Sequence, residues 1–260
     1  MKPITRVVRY ILAGLLVLLV AGLVVGTIYV IAANNRNAAR PEAVAAMAGN
    51  EFVAVSEPAD EDWIVFSPTG QNPTTGFIIY PGGFVDPVAY APVARDIAAA
   101  GYLTIIDPMP LNLAVLGLQG AGDIIDGFPD ITAWGIGGHS LGGAMAAEFT
   151  FRNPGAVQGL ALWAAFPAAN SDLSTFDIEA VSIYGDADGV AVLEDVLDGA
   201  NRLPADTVFV LIPGGNHTQF GHYGEGLQRG DNPATIDRSQ QQQIVVDATA
   251  DMLATINPSN

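Results

Sequence analysis

The sequence contains no cysteine, only three histidines and only ten basic residues among its 260. Without cysteine the chain can form no disulfide, no thiolate metal site and no cysteine nucleophile. Beyond residue 40 the five basic residues stand far apart in sequence, and this excludes the Lys/Arg clusters that contact nucleic-acid phosphates. Nucleic acid is therefore not an expected partner. Imidazole chemistry has three candidates, namely His139, His217 and His222.

Charge is distributed unevenly along the chain. Residues 1–40 hold five basic residues and no acidic one, whereas residues 41–260 hold five basic and 27 acidic residues, a net charge of −22. So large a negative charge repels anionic substrates and anionic surfaces, attracts cationic substrates and leaves neutral ones unaffected.

One long apolar run lies near the N-terminus, from Tyr10 to Ala33, and its 24 residues carry no charge. A helix of that length crosses a hydrocarbon core of about 30 Å, so a transmembrane helix is predicted over 10–33. A cleaved signal peptide is the alternative, although its apolar part is usually shorter. Three basic residues precede the run and two follow it, which predicts a single-pass membrane protein with the large domain outside the cytoplasm.

The division of the chain follows from this run. Residues 1–9 form a basic segment, 34–50 a linker with room for one short helix, and 51–260 one domain. In that domain, short runs rich in Val, Ile and Leu alternate with helical patterns, after a hairpin formed by EFVAVSE and DWIVFSP. The predicted fold class is α/β, with a mostly parallel sheet covered by helices on both faces. A helix is expected within 111–127, and Gln240 to Gln243 are expected on a helix surface.

A nucleophile motif lies between a predicted strand and a predicted helix. Gly138-His139-Ser140-Leu141-Gly142 matches G-x-S-x-G, and a sharp strand-to-helix turn would hold the serine in a strained conformation above the sheet. Small flanking residues are needed there, because a larger side chain would collide across the turn. Ser140 is therefore the candidate nucleophile.

With this motif the chain resembles the α/β-hydrolase superfamily over residues 51–258. The resemblance implies that an acid and then a histidine follow the serine, each after a later strand. Asp186 and Asp188 both follow the strand EAVSIYG, and the family pattern selects Asp188. His217 follows the last strand and is the candidate base, while His222 is expected to be an exposed loop residue. The implied catalytic residues are Ser140, Asp188 and His217, and the resemblance implies a positional role for His139.

The family's oxyanion hole consists of two backbone N–H groups. One belongs to the residue after the nucleophile, Leu141. The other comes from the loop after the third strand, here Tyr80-Pro81-Gly82-Gly83-Phe84, and the sequence leaves Gly83 and Phe84 both open as the donor.

The Y-P-G-G loop and the G-G-N-H-x-Q-F-G segment around His217 are similar to the dienelactone-hydrolase-like group of small bacterial hydrolases. Typical members of that group use a cysteine nucleophile, which this chain lacks, so the resemblance implies a serine carboxylesterase. Residues 164–178 are too few for a cap domain, and an open site suits short or medium acyl esters.

Two other functions remain open from the sequence: a catalytically silent surface binding module, and an acyltransferase that uses the same residues. The expected ligand is a small-molecule ester. No cofactor and no metal site are expected, and no oligomeric state is assigned.

Overall fold

The computed structural model describes residues 6–256, and these begin with one long helix, α1 (Arg6–Arg36). Its segment Tyr10–Arg36 is long and apolar enough to cross a membrane, and none of its most apolar stretch is buried against the rest of the chain. The helix thus contains the predicted span 10–33, beginning four residues before it and ending three residues after it. Residues 1–9 were predicted as a basic segment, and the first five of them lie outside the described residues.

An eight-stranded sheet forms the centre of the domain, in the order β1-β2-β4-β3-β5-β6-β7-β8. Strand β2 runs antiparallel to both of its neighbours, and β3 to β8 are parallel throughout. The strands are β1 (Val53–Ser56), β2 (Ile64–Pro68), β3 (Thr75–Tyr80), β4 (Leu103–Ile106), β5 (Ala133–His139), β6 (Gly159–Trp163), β7 (Glu179–Gly185) and β8 (Val208–Ile212). The predicted hairpin and the mostly parallel sheet are confirmed.

Helices cover both faces of the sheet. They are α2 (Pro41–Ala46), α3 (Ala91–Ala99), α4 (Gly120–Gly127), α5 (Leu141–Arg152), α6 (Leu193–Gly199) and α7 (Arg238–Thr255). One apolar core includes Ile97 of α3 and Leu253 of α7, and the other includes Ile124 of α4 and Phe149 of α5. Continuous apolar strands are buried between these two layers, as expected for a parallel sheet.

The region after β4 differs from the single helix expected within 111–127. It contains two short 3₁₀ turns, Pro110–Asn112 and Ala114–Leu116, before α4 begins at Gly120. Leu111 and Asn112 adopt positive φ angles of 58° and 56°, which no α-helix allows. The apolar side chains of this segment therefore do not all face a core, and several of them are exposed.

Residues 34–50, predicted as a linker, are closely tied to the domain. Helix α1 continues to Arg36, α2 occupies Pro41–Ala46, and the residues between them hydrogen-bond to loops of the domain. Ala39 also forms an isolated antiparallel bridge with Tyr223.

Candidate active site

Ser140 lies at the tight turn between β5 and α5, at the carboxyl end of the sheet. Its φ of 55° and ψ of −122° are strained for a residue with a side chain. The turn is possible because its neighbours are glycines: a Cβ on Gly138 would lie 2.2 Å from the carbonyl oxygen of Tyr80, and a Cβ on Gly142 only 2.0 Å from it. Ser140 is partly exposed, so its hydroxyl is open to a ligand.

Asp188 and His217 come together from the loops after β7 and β8. Nδ1 of His217 is 2.8 Å from Oδ2 of Asp188, and both side chains are fully buried. Oδ1 of Asp188 accepts hydrogen bonds from the backbone N–H groups of Val190 and Ala191, both at 2.7 Å. A proton on Nδ1 donates to the carboxylate, so the neutral ring presents Nε2 as an acceptor. That atom is buried without a hydrogen-bond partner among the described residues.

Asp186 has a different environment. It is exposed, and its Oδ1 accepts a hydrogen bond of 2.6 Å from the backbone N–H of Gly214. The exposed carboxylate of Asp186 therefore holds the loop after β8 by its backbone. Asp188 is the aspartate that contacts His217.

Two residues that the sequence reasoning missed hold the His217 loop. Asp231 accepts hydrogen bonds from the backbone N–H groups of His217 and Gly189, each at 3.2 Å, so it joins the loop of the histidine to the loop of Asp188. Gln241 exchanges two hydrogen bonds with the backbone of Asn216, at 2.7 and 3.0 Å.

The expectation that Gln240 to Gln243 lie on a helix surface is therefore wrong for two of the four. Gln241 and Gln242 are buried. Positions 241, 242, 245, 246 and 249 share the buried face of α7, and this helical spacing was visible in the sequence.

His139 packs beneath the turn and is completely buried. Its Nδ1 is 2.8 Å from the hydroxyl of Tyr90, which in turn accepts a hydrogen bond of 3.0 Å from the N–H of Gly82. Its ring stacks on Phe220 and lies 4.4 Å, centroid to centroid, from the ring of His217. Burial, and then the neighbouring His217, lower the pKa of His139 well below its ordinary value. The residue is thus neutral and connects two loops of the site.

His222 is not the exposed loop residue that the sequence suggested. It is half-buried, and its Nε2 lies 3.2 Å from Oε1 of Gln242. Burial is the main cause that lowers the pKa of His222 to about 4. This imidazole is therefore neutral at pH 7.

The two candidate oxyanion donors of the 80–84 loop are not equivalent. The N–H of Phe84 already donates to the carbonyl of Asn112 at 2.6 Å. The N–H of Gly83 has no such partner among the described residues, and a Cβ on Gly83 would lie 3.1 Å from the side chain of Leu141. Leu141 begins α5, where an N–H group has no acceptor within the helix. The geometry favours Gly83 beside Leu141.

Residues 76–243 match the sequence profile of a family described as the alpha/beta hydrolase family. The chain belongs to the alpha/beta hydrolase family. No curated protein matches it in sequence.

Among solved structures, the chain is similar to a cold-adapted esterase from an Arctic intertidal metagenomic library, with 13% identity, a TM-score of 0.54, and coverage of 78% of this chain and 95% of the esterase. It is also similar to a CIB-like hydrolase from Thermoplasma acidophilum, with 16% identity, a TM-score of 0.55, and coverage of 76% of this chain and 99% of that one. These likenesses concern the fold.

This alpha/beta hydrolase has an irregular loop and no helical cap at residues 164–178, between β6 and β7. The hydroxyl of Ser171 donates to buried Glu148 of α5, and the N–H of Leu173 donates to the carbonyl of Arg202 at 2.8 Å. The loop is thus fixed against the domain.

Within residues 6–256, no group of three or more His, Asp or Glu side chains is placed to hold a metal ion.

A buried carboxyl group follows β4 in this hydrolase. Asp107 is buried, and its Oδ2 has no hydrogen-bond partner among the described residues. Burial, and then the charge of Asp123, raise the pKa of Asp107 from 3.8 to about 7. Between pH 4 and pH 7 the folded chain therefore holds a proton that the unfolded chain has lost, so this group lowers stability as pH rises through that window.

We expect Asp107→Asn to reduce the loss of stability between pH 5 and pH 8. The two pH units between pH 5 and the pKa of about 7 correspond to at most about 3 kcal/mol, a cost that the uncharged amide avoids. Thermal unfolding midpoints at the two pH values measure the effect, with Asp130→Asn, at an exposed aspartate that is not a cause of the raised pKa, as a control that changes them less. Equal pH dependence in Asp107→Asn and the unsubstituted chain would contradict this account of Asp107.

Proposed function

We propose that this hydrolase is a serine carboxylesterase that cleaves short or medium acyl esters through Ser140, His217 and Asp188. The observation that carries the proposal is the buried hydrogen bond from His217 to Asp188, which leaves Nε2 of the histidine as an acceptor at the same edge of the sheet as Ser140. A serine hydroxyl is a weak nucleophile at neutral pH and needs such a base.

In the proposed reaction, Nε2 of His217 takes the hydroxyl proton as Ser140 attacks the ester carbonyl. The N–H groups of Gly83 and Leu141 stabilise the negative charge that develops on the carbonyl oxygen. The imidazolium, held by Asp188, then returns the proton to the departing alcohol and leaves an acyl-enzyme. Water, activated by the same histidine, releases the acid.

The preference for short or medium acyl groups rests on the loop at 164–178. An ordered loop of this length offers no helical lid that could cover a long acyl chain. The net charge of −22 in residues 41–260 favours neutral esters over anionic ones.

The experiment treats the full-length chain, purified in a non-ionic detergent, with a fluorophosphonate and then with 4-nitrophenyl esters from acetate to palmitate. We expect the label on the peptide that carries Ser140, and kcat/KM values that fall steeply beyond decanoate. The heat-denatured chain is the control and takes up no label. A native chain that takes up no label and hydrolyses no ester would favour the silent binding module.

We also infer that α1 remains attached and anchors the domain outside the cytoplasm. Lys2, Arg6 and Arg9 precede the apolar run and exceed the two basic residues that follow it, which keeps the N-terminus inside. Protease added to intact cells should therefore remove the domain, and a domain that survives this treatment would contradict the orientation.

A further inference from the structure

The apolar run of α1 fixes where the membrane surface would lie. Tyr10 and Tyr29 are 19 residues apart, and a helix rises about 28 Å over that distance. This length matches a hydrocarbon core of about 30 Å, and tyrosine side chains favour its two boundaries. The side chains from Tyr10 to Tyr29 are all exposed in the structure. Tyr29 therefore marks the membrane surface on the side of the domain.

The candidate active site is attached directly at this level. The ring of Tyr29 meets the ring of Phe84, in the 80–84 loop, edge to face at 5.9 Å. Just beyond α1, the carbonyl of Asn37 accepts a hydrogen bond from the N–H of Asp86 at 3.1 Å. The N–H of Arg40 donates to the carbonyl of His222, five residues beyond His217, at 2.8 Å. These contacts leave little freedom for the site to move away from the end of the span.

Three exposed apolar side chains belong to the two 3₁₀ turns that follow β4: Leu111, Val115 and Leu116, here called the apolar rim. The 3₁₀ turn that carries Leu111 contacts α1, and the carbonyl of Asn112 accepts the hydrogen bond from Phe84. The loop that follows these turns is also held in place, since the hydroxyl of Tyr80 donates a hydrogen bond to the carbonyl of Leu118 at 2.9 Å. Large apolar side chains held outward in a fixed position are unfavourable in water and favourable in lipid.

We propose that the apolar rim lies in the lipid at the membrane surface and that the site takes its substrate from the bilayer. The favoured substrates are then neutral esters that dissolve in the membrane, delivered at the level of Phe84 and the 80–84 loop. This inference rests on the proposed esterase function. Its occupant is lipid because the turn that carries Leu111 contacts α1, which is inferred above to anchor the domain in the membrane. The acidic domain disfavours an anionic surface, so the lipid is uncharged overall.

The first experiment measures whether the apolar rim lies in the lipid, and it does not depend on hydrolytic activity. Because the chain has no cysteine, Leu111→Cys and Phe52→Cys each provide one thiol for an environment-sensitive dye. Phe52 is the matched control: it is 62% exposed, against 58% for Leu111. It precedes β1 and so lies at the amino ends of the parallel strands, whereas Leu111 follows the carboxyl end of β4. The labelled full-length chains are reconstituted in phosphatidylcholine vesicles that contain spin-labelled phosphatidylcholine.

We expect blue-shifted emission and lipid quenching for the dye at position 111, and neither for the dye at position 52. Absence of quenching at position 111 overturns the proposal. A blue shift at position 111 without quenching also overturns it, because the rim would then be covered by protein, such as a second copy of the chain.

The second experiment uses polar variants of the rim to test whether substrate reaches the site from the bilayer. Leu111→Ser/Leu116→Ser is compared with the control Phe52→Ser/Val208→Ser, whose positions are about equally exposed but lie at the amino ends of β1 and β8, away from the carboxyl end of β4. Each chain, reconstituted in phosphatidylcholine vesicles, is assayed with 4-nitrophenyl decanoate, which enters the bilayer, and with 4-nitrophenyl acetate, which stays in water.

We expect the rim variant to lose at least about tenfold in kcat/KM for the decanoate and to stay within about twofold for the acetate, while the control keeps both activities. Equal kcat/KM for the decanoate in the rim variant and the unsubstituted chain overturns the inference and leaves the esterase proposal intact. An equal loss on both esters also overturns it, because the rim would then act on the site itself. If the unsubstituted chain hydrolyses neither ester, the esterase function fails and the inference fails with it.

Discussion

Ser140→Ala is expected to lower kcat for 4-nitrophenyl acetate by at least about 10⁴-fold, because no other group can form the acyl-enzyme. The thermal midpoint should change little. The Ser140 side chain makes no capping hydrogen bond to α5, and alanine occupies the same strained backbone position. Hydrolysis by the full-length chain in detergent and thermal unfolding of the same sample check both parts.

Ser56→Ala is the matched control for this substitution. Ser56 is an exposed residue at the end of β1, four strands away from β5 in the sheet, and its loss should leave hydrolysis unchanged. If Ser140→Ala keeps activity within about tenfold of the unsubstituted chain, Ser140 is not the nucleophile.

The turn at Ser140 could be predicted because its physical requirement is local. Gly138 and Gly142 must be small, since a Cβ on either one would overlap the backbone of Tyr80. A steric demand of this kind appears directly in the sequence as a glycine on each side of the serine. The parallel sheet was predictable for a similar reason, because strands buried on both faces have continuous apolar sequences.

The segment after β4 could not be predicted in the same way. Its apolar letters, LNLAVLGL, suggest a buried helix, yet Leu111, Val115 and Leu116 are exposed. The first turn of the segment is held instead by its contacts with α1 and by the hydrogen bond between Phe84 and Asn112. These contacts join parts of the chain that are far apart in sequence, and a hydrophobic pattern does not record them.

The burial of Asp107 is likewise a tertiary effect. A single aspartate after a strand looks like an ordinary loop residue. Its Oδ2 is enclosed by the backbone of Gly120, where a Cβ would lie only 2.2 Å away. The carboxyl group is therefore removed from water by a helix that begins 13 positions later in the chain.

The choice between Asp186 and Asp188 was made from the family resemblance, since two aspartates two positions apart in a loop have the same local chemistry. The structure separates them by their contacts: Asp188 bonds to the ring of His217, whereas Asp186 bonds to the backbone of Gly214. The two positions therefore offer a test in which each variant is the control for the other.

Asp188→Asn is expected to lower kcat by about 10⁴-fold, because an amide that donates to Nδ1 of His217 favours the tautomer with the proton on Nε2, and that tautomer cannot accept a proton from Ser140. The midpoint should also fall, since the bonds from Val190 and Ala191 lose their charged acceptor.

Asp186→Asn should cost less than about tenfold, because its side chain is exposed and an amide oxygen still accepts the bond from Gly214. Steady-state hydrolysis of 4-nitrophenyl acetate by both variants gives the comparison. A larger loss of kcat in Asp186→Asn than in Asp188→Asn would mean that the buried bond to His217 does not set the tautomer used in catalysis, and Asp188 would then be a structural residue that holds the loop after β7.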